Sequence, residues 1–181
     1  LQVARLRAGG GPDPSVKVKK LLDSHWLAPT SLLAIVLLAW WPLLGERPMA
    51  ADDFPHSGLL ANGFGEFWDR YGIWRIVGHP LPILARLAGG LDGLLALVTH
   101  AATVLVLFGI GSRWGRFAGF TIAALFATMP FGFQALTWNA AYTFAAATFC
   151  TLGCISLGLG DSRETVRAPL CLLLTLLALC C

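Results

Sequence analysis

The eighteen residues Leu27 to Leu44, "LAPTSLLAIVLLAWWPLL", contain no charged side chain. A run of that length and character severely limits what a chain can fold into. Crossing a hydrocarbon core of about 30 Å takes roughly 20 predominantly apolar residues in an α-helix. The pattern recurs. Apolar stretches also cover 91–111, 115–130 and 138–158, and a further one begins at 169 and runs to 181. Composition makes the same point. The 181 residues are 56% hydrophobic and 13% charged, against roughly 25% charged in an ordinary soluble domain. A chain this small keeps much of its surface exposed, so it cannot bury so much apolar area in its own interior. The excess is expected to face lipid. Backbone groups in lipid are satisfied only in helices or closed barrels, and these stretches are too long and too uniformly apolar for barrel strands. The fold class expected is all-α: a polytopic transmembrane helical bundle with interfacial helices in the first extracytoplasmic loop.

Residues 1–25 read as a flexible basic tail, with Arg5, Arg7, Lys17, Lys19 and Lys20 set against Asp13 and Asp23. The transmembrane domain is expected over 26–181, with the span at 169–181 incomplete. That incomplete span and the absence of an initial Met suggest the N-terminal part of a longer protein. The tail, "SRWGR" (Arg113, Arg116) and "DSRETVR" (Arg163, Arg167) are alternate connections and carry basic residues, whereas the turn from Pro130 to Thr137 has no charge and the first loop has more acids than bases once Glu46 is counted. Such a bias marks the cytoplasmic side. The N-terminus is then cytoplasmic, and the polar loop 46–90 is extracytoplasmic. Within it, "GFGEFWDRYGIWRIV" mixes aromatic and charged residues, as a helix lying at a membrane surface does, and as a loop packed on the bundle also can. The five cysteines all lie in apolar segments and imply no disulfide framework.

Few residues can carry chemistry. Asp52 and Asp53 follow the first apolar stretch by about eight residues. Adjacent carboxylates disfavour each other's ionisation, so one of them suits a general base. The pair could equally hold a divalent cation such as Mg²⁺ or Mn²⁺, or simply cap a turn. His56 and His79 flank the same loop, but no spacing rule makes them metal ligands. Arg70, Arg75 and Arg86 fall on the same side as the aspartates, and guanidinium matches phosphate; lipid-facing arginines also snorkel to headgroups. His100 lies midway along the second apolar stretch, where an ionisable residue faces the bundle interior and has a partner. It reads as a relay or substrate contact, or as a hydrogen-bonded packing residue. Cys150 and Cys154 share a helix face as small packing residues. The Gly111–Gly115 spacing suggests close helix packing. Trp26 and the Trp40–Trp41 pair suit the two membrane interfaces.

Three pieces together carry a family resemblance: "ADDF" after the first span, "THAATVLVLFGIGSRWG", and "MPFGFQALTWNAAYTFAAATF" with Pro130, Gln134 and Trp138 at four-residue intervals. Over roughly 27–158 the chain resembles the N-terminal part of a GT-C type integral membrane glycosyltransferase. It is similar in particular to the protein O-mannosyltransferase-like and tetratricopeptide-bearing members and to bacterial relatives that modify lipid-linked glycans. The resemblance implies transfer of a hexose from a polyprenyl-phosphate donor, at the outer face of a bacterial inner membrane, to an extracytoplasmic acceptor. It also implies that Asp53, with Asp52, deprotonates the acceptor or helps hold a metal, and that Gln134 and Trp138 line the same cavity. Gln134 stands where the family commonly has Glu, and Ala141 and Tyr142 stand where Gly-Arg is common. The competing readings are a multi-pass transporter or flippase-like protein centred on His100, and a non-catalytic membrane subunit.

Overall fold

The computed structural model describes residues 26–44, 80–129, 142–160 and 164–179, and among these it is all-helical. The elements are α1 (Leu27–Trp40), a 3₁₀ turn (Trp41–Leu44), α2 (Pro80–Leu87), α3 (Asp92–Gly111), a 3₁₀ turn (Ser112–Trp114), α4 (Arg116–Thr128), α5 (Tyr142–Gly158) and α6 (Glu164–Leu179). α3 is the hub. It packs against α1, α2, α4 and α5, while α6 packs against α5.

Local chemistry sets the element ends. In α1 the Trp41 amide still bonds to the Leu37 carbonyl, but Pro42 has no N–H and its ring clashes with the preceding turn. The α-helix therefore gives way to 3₁₀ at Trp41. α2 lies inside the loop expected to carry surface helices. It starts on a proline, a residue whose missing N–H costs nothing in a first turn, and it exposes Leu81, Leu84 and Leu87. The chain then turns through Gly89 and Gly90, both at positive φ, into α3.

The stretch Asp92–Trp114 is 23 residues long, and it is the one helix among the described residues that is long and apolar enough to cross a membrane. At 1.5 Å per residue it reaches about 35 Å. α1, α4, α5 and α6 are apolar but shorter, at 14, 13, 17 and 16 residues. The core joins Leu32 and Val36 of α1 to Ala96, Leu97 and Val104 of α3, Ala123 and Ala127 of α4, and Ala146 of α5. Large apolar side chains are also exposed on each of these helices, including Leu38, Val98, Leu125, Phe144 and Leu172.

Three details differ from the sequence reading. Trp41 is exposed, but its neighbour Trp40 is buried. Consecutive helical residues point about 100° apart, so the two indoles cannot serve one interface together. Pro169 does not open the last helix; α6 begins at Glu164 and carries Pro169 inside it. As the sixth residue of α6 it lies past the first turn, so its missing N–H removes one intrahelical hydrogen bond. Arg167, in the same early part of α6, donates from Nη1 to the Gly160 carbonyl at 3.0 Å and so ties the α5–α6 turn. The third difference concerns the close-packing glycines. Gly115 lies in the α3–α4 turn at φ 133°, and the residue facing Gly111 is Gly119.

The α3–α4 contact is a backbone-to-backbone approach. A Cβ on Gly119 would lie 2.6 Å from the Ser112 amide nitrogen and 2.9 Å from the Phe108 carbonyl oxygen, and a Cβ on Gly111 would lie 2.8 Å from the Gly119 Cα. Gly119, Ala123 and Ala127 are all buried at four-residue spacing along α4. They form a stripe of small residues that lets the helices close.

Gly119→Ala is expected to destabilise the protein by about 1–3 kcal/mol, because overpacked backbone cannot move aside as a side chain can. Gly109, with open space around a Cβ, is the control. Gly109→Ala should be neutral or raise stability by up to about 1 kcal/mol through helix propensity. Unfolding midpoints of the two purified variants check the pair.

Candidate functional site

Most polar side chains of the bundle interior collect where α1 and α4 finish and α5 begins, level with the middle of α3. Their arrangement follows from a helix terminus. The last four carbonyls of a helix have no intrahelical partner. In α4 the Met129 amide bonds to the Phe126 carbonyl at 3.3 Å, which leaves the next carbonyl, on fully buried Ala127, to find partners elsewhere. It finds two. The Trp40 indole Nε1–H donates to it at 2.6 Å, and His100 Nε2 lies 3.3 Å away. A carbonyl oxygen only accepts, so the proton on His100 resides at Nε2.

The His100 ring is also held by aromatic contacts. It meets Trp40 edge to face, with centroids 5.6 Å apart and planes at 73°. It stacks on Phe126 at 5.3 Å and 26°. Both geometries are favourable for aromatic pairs. His100 is 6% exposed. This is the buried, partnered histidine expected at that depth, and its contacts are those of a packing residue.

A second link lies one residue away on α3. The Thr99 hydroxyl donates to the Leu95 carbonyl at 2.9 Å, so its single proton is committed. The 2.7 Å contact with the Tyr142 hydroxyl is therefore donated by the tyrosine. Thr103 in turn donates to the Thr99 carbonyl at 2.8 Å. Asp92, 5% exposed, lies in the first turn of α3, where the positive end of the helix dipole favours a carboxylate.

Sequence reading singled out His100 and noted Tyr142 only as a departure from the family pattern, but passed over Asp92, Thr99 and the inward role of Trp40. A usable signal existed. Asp92, Ala96, His100 and Thr103 recur at helical spacing in an otherwise apolar run and share the buried side of α3.

Asp52, Asp53, Arg70, Arg75, Gln134 and Trp138, and with them His56 and His79, lie outside the described residues. Arg86 lies on α2. The segments that carry the others continue from helix ends beside the buried polar cluster. Segment 45–79 follows the 3₁₀ turn after Trp40, and 130–141 follows Met129, two residues beyond Ala127, and leads into Tyr142. The Trp40–Ala127 and Thr99–Tyr142 hydrogen bonds thus fix three of the helix ends from which these segments depart. Among the described residues, no three His, Cys, Asp or Glu side chains converge to hold a metal ion.

Because Trp40 and His100 share one acceptor, their loss should not be additive. Either Trp40→Phe or His100→Phe leaves the carbonyl one donor and should cost about 1 kcal/mol. The double variant leaves a buried acceptor unpaired and should cost more than the sum, by about 1–2 kcal/mol. A double-mutant cycle on thermal or denaturant unfolding measures the difference.

No protein-family model, curated protein or solved structure matches this chain, so its own residues are the whole basis for a functional reading.

Proposed function

We propose that this chain works as a multi-pass membrane glycosyltransferase, moving a sugar from a polyprenyl-phosphate donor to an acceptor at the extracytoplasmic surface. Several observations support the membrane part of this reading. α3 is long enough to cross a bilayer. Large apolar side chains lie exposed on helices on every side of α3, in a quantity that water-facing surfaces rarely carry. The tail and the two connections on its side hold nine Lys and Arg against four in the other two connections, a bias in the sense of a chain that crosses a bilayer repeatedly.

One observation carries the catalytic part: both segments bearing the candidate residues, 45–79 with Asp52 and Asp53 and 130–141 with Gln134 and Trp138, leave helix ends that are joined to one buried polar cluster. A polyprenyl-phosphate keeps its lipid in the bilayer while its phosphate and sugar emerge. A base that serves it has to sit just outside the hydrocarbon on a short tether, and Asp52–Asp53 follow Leu44 by about eight residues.

In the proposed reaction, Asp53 takes the proton of an acceptor hydroxyl. The acceptor oxygen forms a bond to the anomeric carbon, and the bond from that carbon to the phosphate oxygen breaks, its electron pair leaving with the polyprenyl phosphate. Arg70, Arg75 and Arg86 offset the charge that develops on the phosphate. The acidic pair is also a donor set suited to a hard divalent cation, which would supply the same neutralisation. Gln134 and Trp138 would line the sugar's side of the cleft. His100 takes no step. Its imidazole is occupied by Ala127, Trp40 and Phe126, which favours a packing role over a proton relay in a carrier.

Asp53→Asn should lower transfer by at least about 100-fold, the scale of a lost general base, in membrane vesicles supplied with polyprenyl-phosphate-linked hexoses. His100→Phe, once corrected for the amount of folded protein, should leave turnover within a few-fold. Unchanged turnover in Asp53→Asn, or loss confined to His100→Phe, rejects the mechanism. A cysteine placed at position 53 should react with an impermeant maleimide added outside intact cells; labelling only after lysis rejects the orientation.

A further inference from the structure

The end of the bundle opposite the polar knot carries a different surface. α3 and α4 are joined there by the Ser112–Trp114 turn and Gly115, whose φ of 133° lets the chain reverse. Four consecutive side chains of this corner project outward. Arg113 and Arg116 are exposed, Trp114 is 73% exposed and Phe117 is 85% exposed. The two guanidinium groups alternate with the two rings, each pair three residues apart.

We propose that this Arg113–Phe117 corner binds the headgroup of an anionic phospholipid. The proposal rests on the membrane reading above, but not on the glycosyltransferase chemistry. Charge complementarity identifies the occupant. From Gly93 to Gly160 the sequence contains no acidic residue, so the corner stands in a stretch of purely positive charge. Guanidinium matches phosphate in a bidentate way. The aromatic half excludes a purely aqueous partner, because rings this exposed suit the headgroup level of a bilayer, where an apolar body and a polar surrounding are both available. The Lys and Arg bias assigns this corner to the cytoplasmic face, whose leaflet is enriched in anionic lipid. The nearby Arg167 does not duplicate the arrangement, because its guanidinium is engaged by the Gly160 carbonyl. Arg116 has further contacts of its own, so Arg113 is the cleaner residue to change.

The test uses the full chain purified in a neutral detergent, titrated separately with phosphatidylglycerol, phosphatidylcholine and inorganic phosphate. Binding is followed by the unfolding midpoint and by lipid retention in native mass spectrometry. Phosphatidylglycerol should raise the midpoint and remain bound, while equal concentrations of phosphatidylcholine or inorganic phosphate should not. Arg113→Gln should weaken the phosphatidylglycerol response about 5-fold, the loss associated with one basic residue near an anionic surface. Arg113→Lys, which keeps the charge but loses the bidentate fork, should fall between Arg113→Gln and the unaltered chain, and Trp114→Ala should weaken the response without creating one to free phosphate. Equal protection by phosphatidylcholine, protection by phosphate alone, or an unaltered Arg113→Gln response each overturns the proposal. Alkaline extraction separates this failure from that of the membrane reading. A chain released into the supernatant sinks both, and a retained chain with an unaltered Arg113→Gln response sinks this proposal alone.

Discussion

A single carbonyl oxygen, that of Ala127, is the point on which the polar end of this bundle turns. α4 ends inside an apolar environment, and a helix end there exposes acceptors with no water to satisfy them. The chain answers with two donors from two other helices, the Trp40 indole and the His100 imidazole. That one requirement ties α1, α3 and α4 together. It also explains why an ionisable side chain is tolerated in the middle of a strongly apolar helix. The Thr99–Tyr142 hydrogen bond extends the same solution to α5.

At its other end the bundle is held by close approach instead of by hydrogen bonds. The glycines of α3 and α4 meet backbone to backbone, and dispersion between tightly packed main chains does the work that large side chains do elsewhere. The consequence is an asymmetric molecule. Beside a cluster of buried polar groups, α1 and α4 finish and α5 begins. At the α3–α4 corner a tight turn leaves arginines and aromatic rings exposed.

This asymmetry also bears on His100. A histidine buried in a span invites a transport reading, since protonatable groups at that depth commonly lie on ion paths. Here its Nε2 proton is engaged by a backbone carbonyl, and both an indole and a phenyl ring press on its ring. A side chain so constrained serves the architecture.

Apolar runs with at most one charge were enough to locate α1, α3, α4 and α5 to within a few residues, because helix formation in such runs depends on local hydrophobicity and on nearby proline or glycine. The burial of His100 followed from the cost of leaving an ionisable group in an apolar setting. Other features could not be read that way. Trp40 and Trp41 are neighbours of identical chemistry, and only the position of α4 separates the donor from the exposed ring. Gly111 pairs with Gly119 across a turn, while the more conspicuous Gly111–Gly115 spacing is interrupted by the chain reversal. The burial of Asp92 and Tyr142 came only with the packing of their helices. One-dimensional pattern therefore determined which segments are helical and how apolar they are, since those depend on residues close in the chain. Which face of each helix turns inward, and which donor meets which orphan carbonyl, required the helices to be packed, because those contacts join residues as far apart as Trp40 and Ala127.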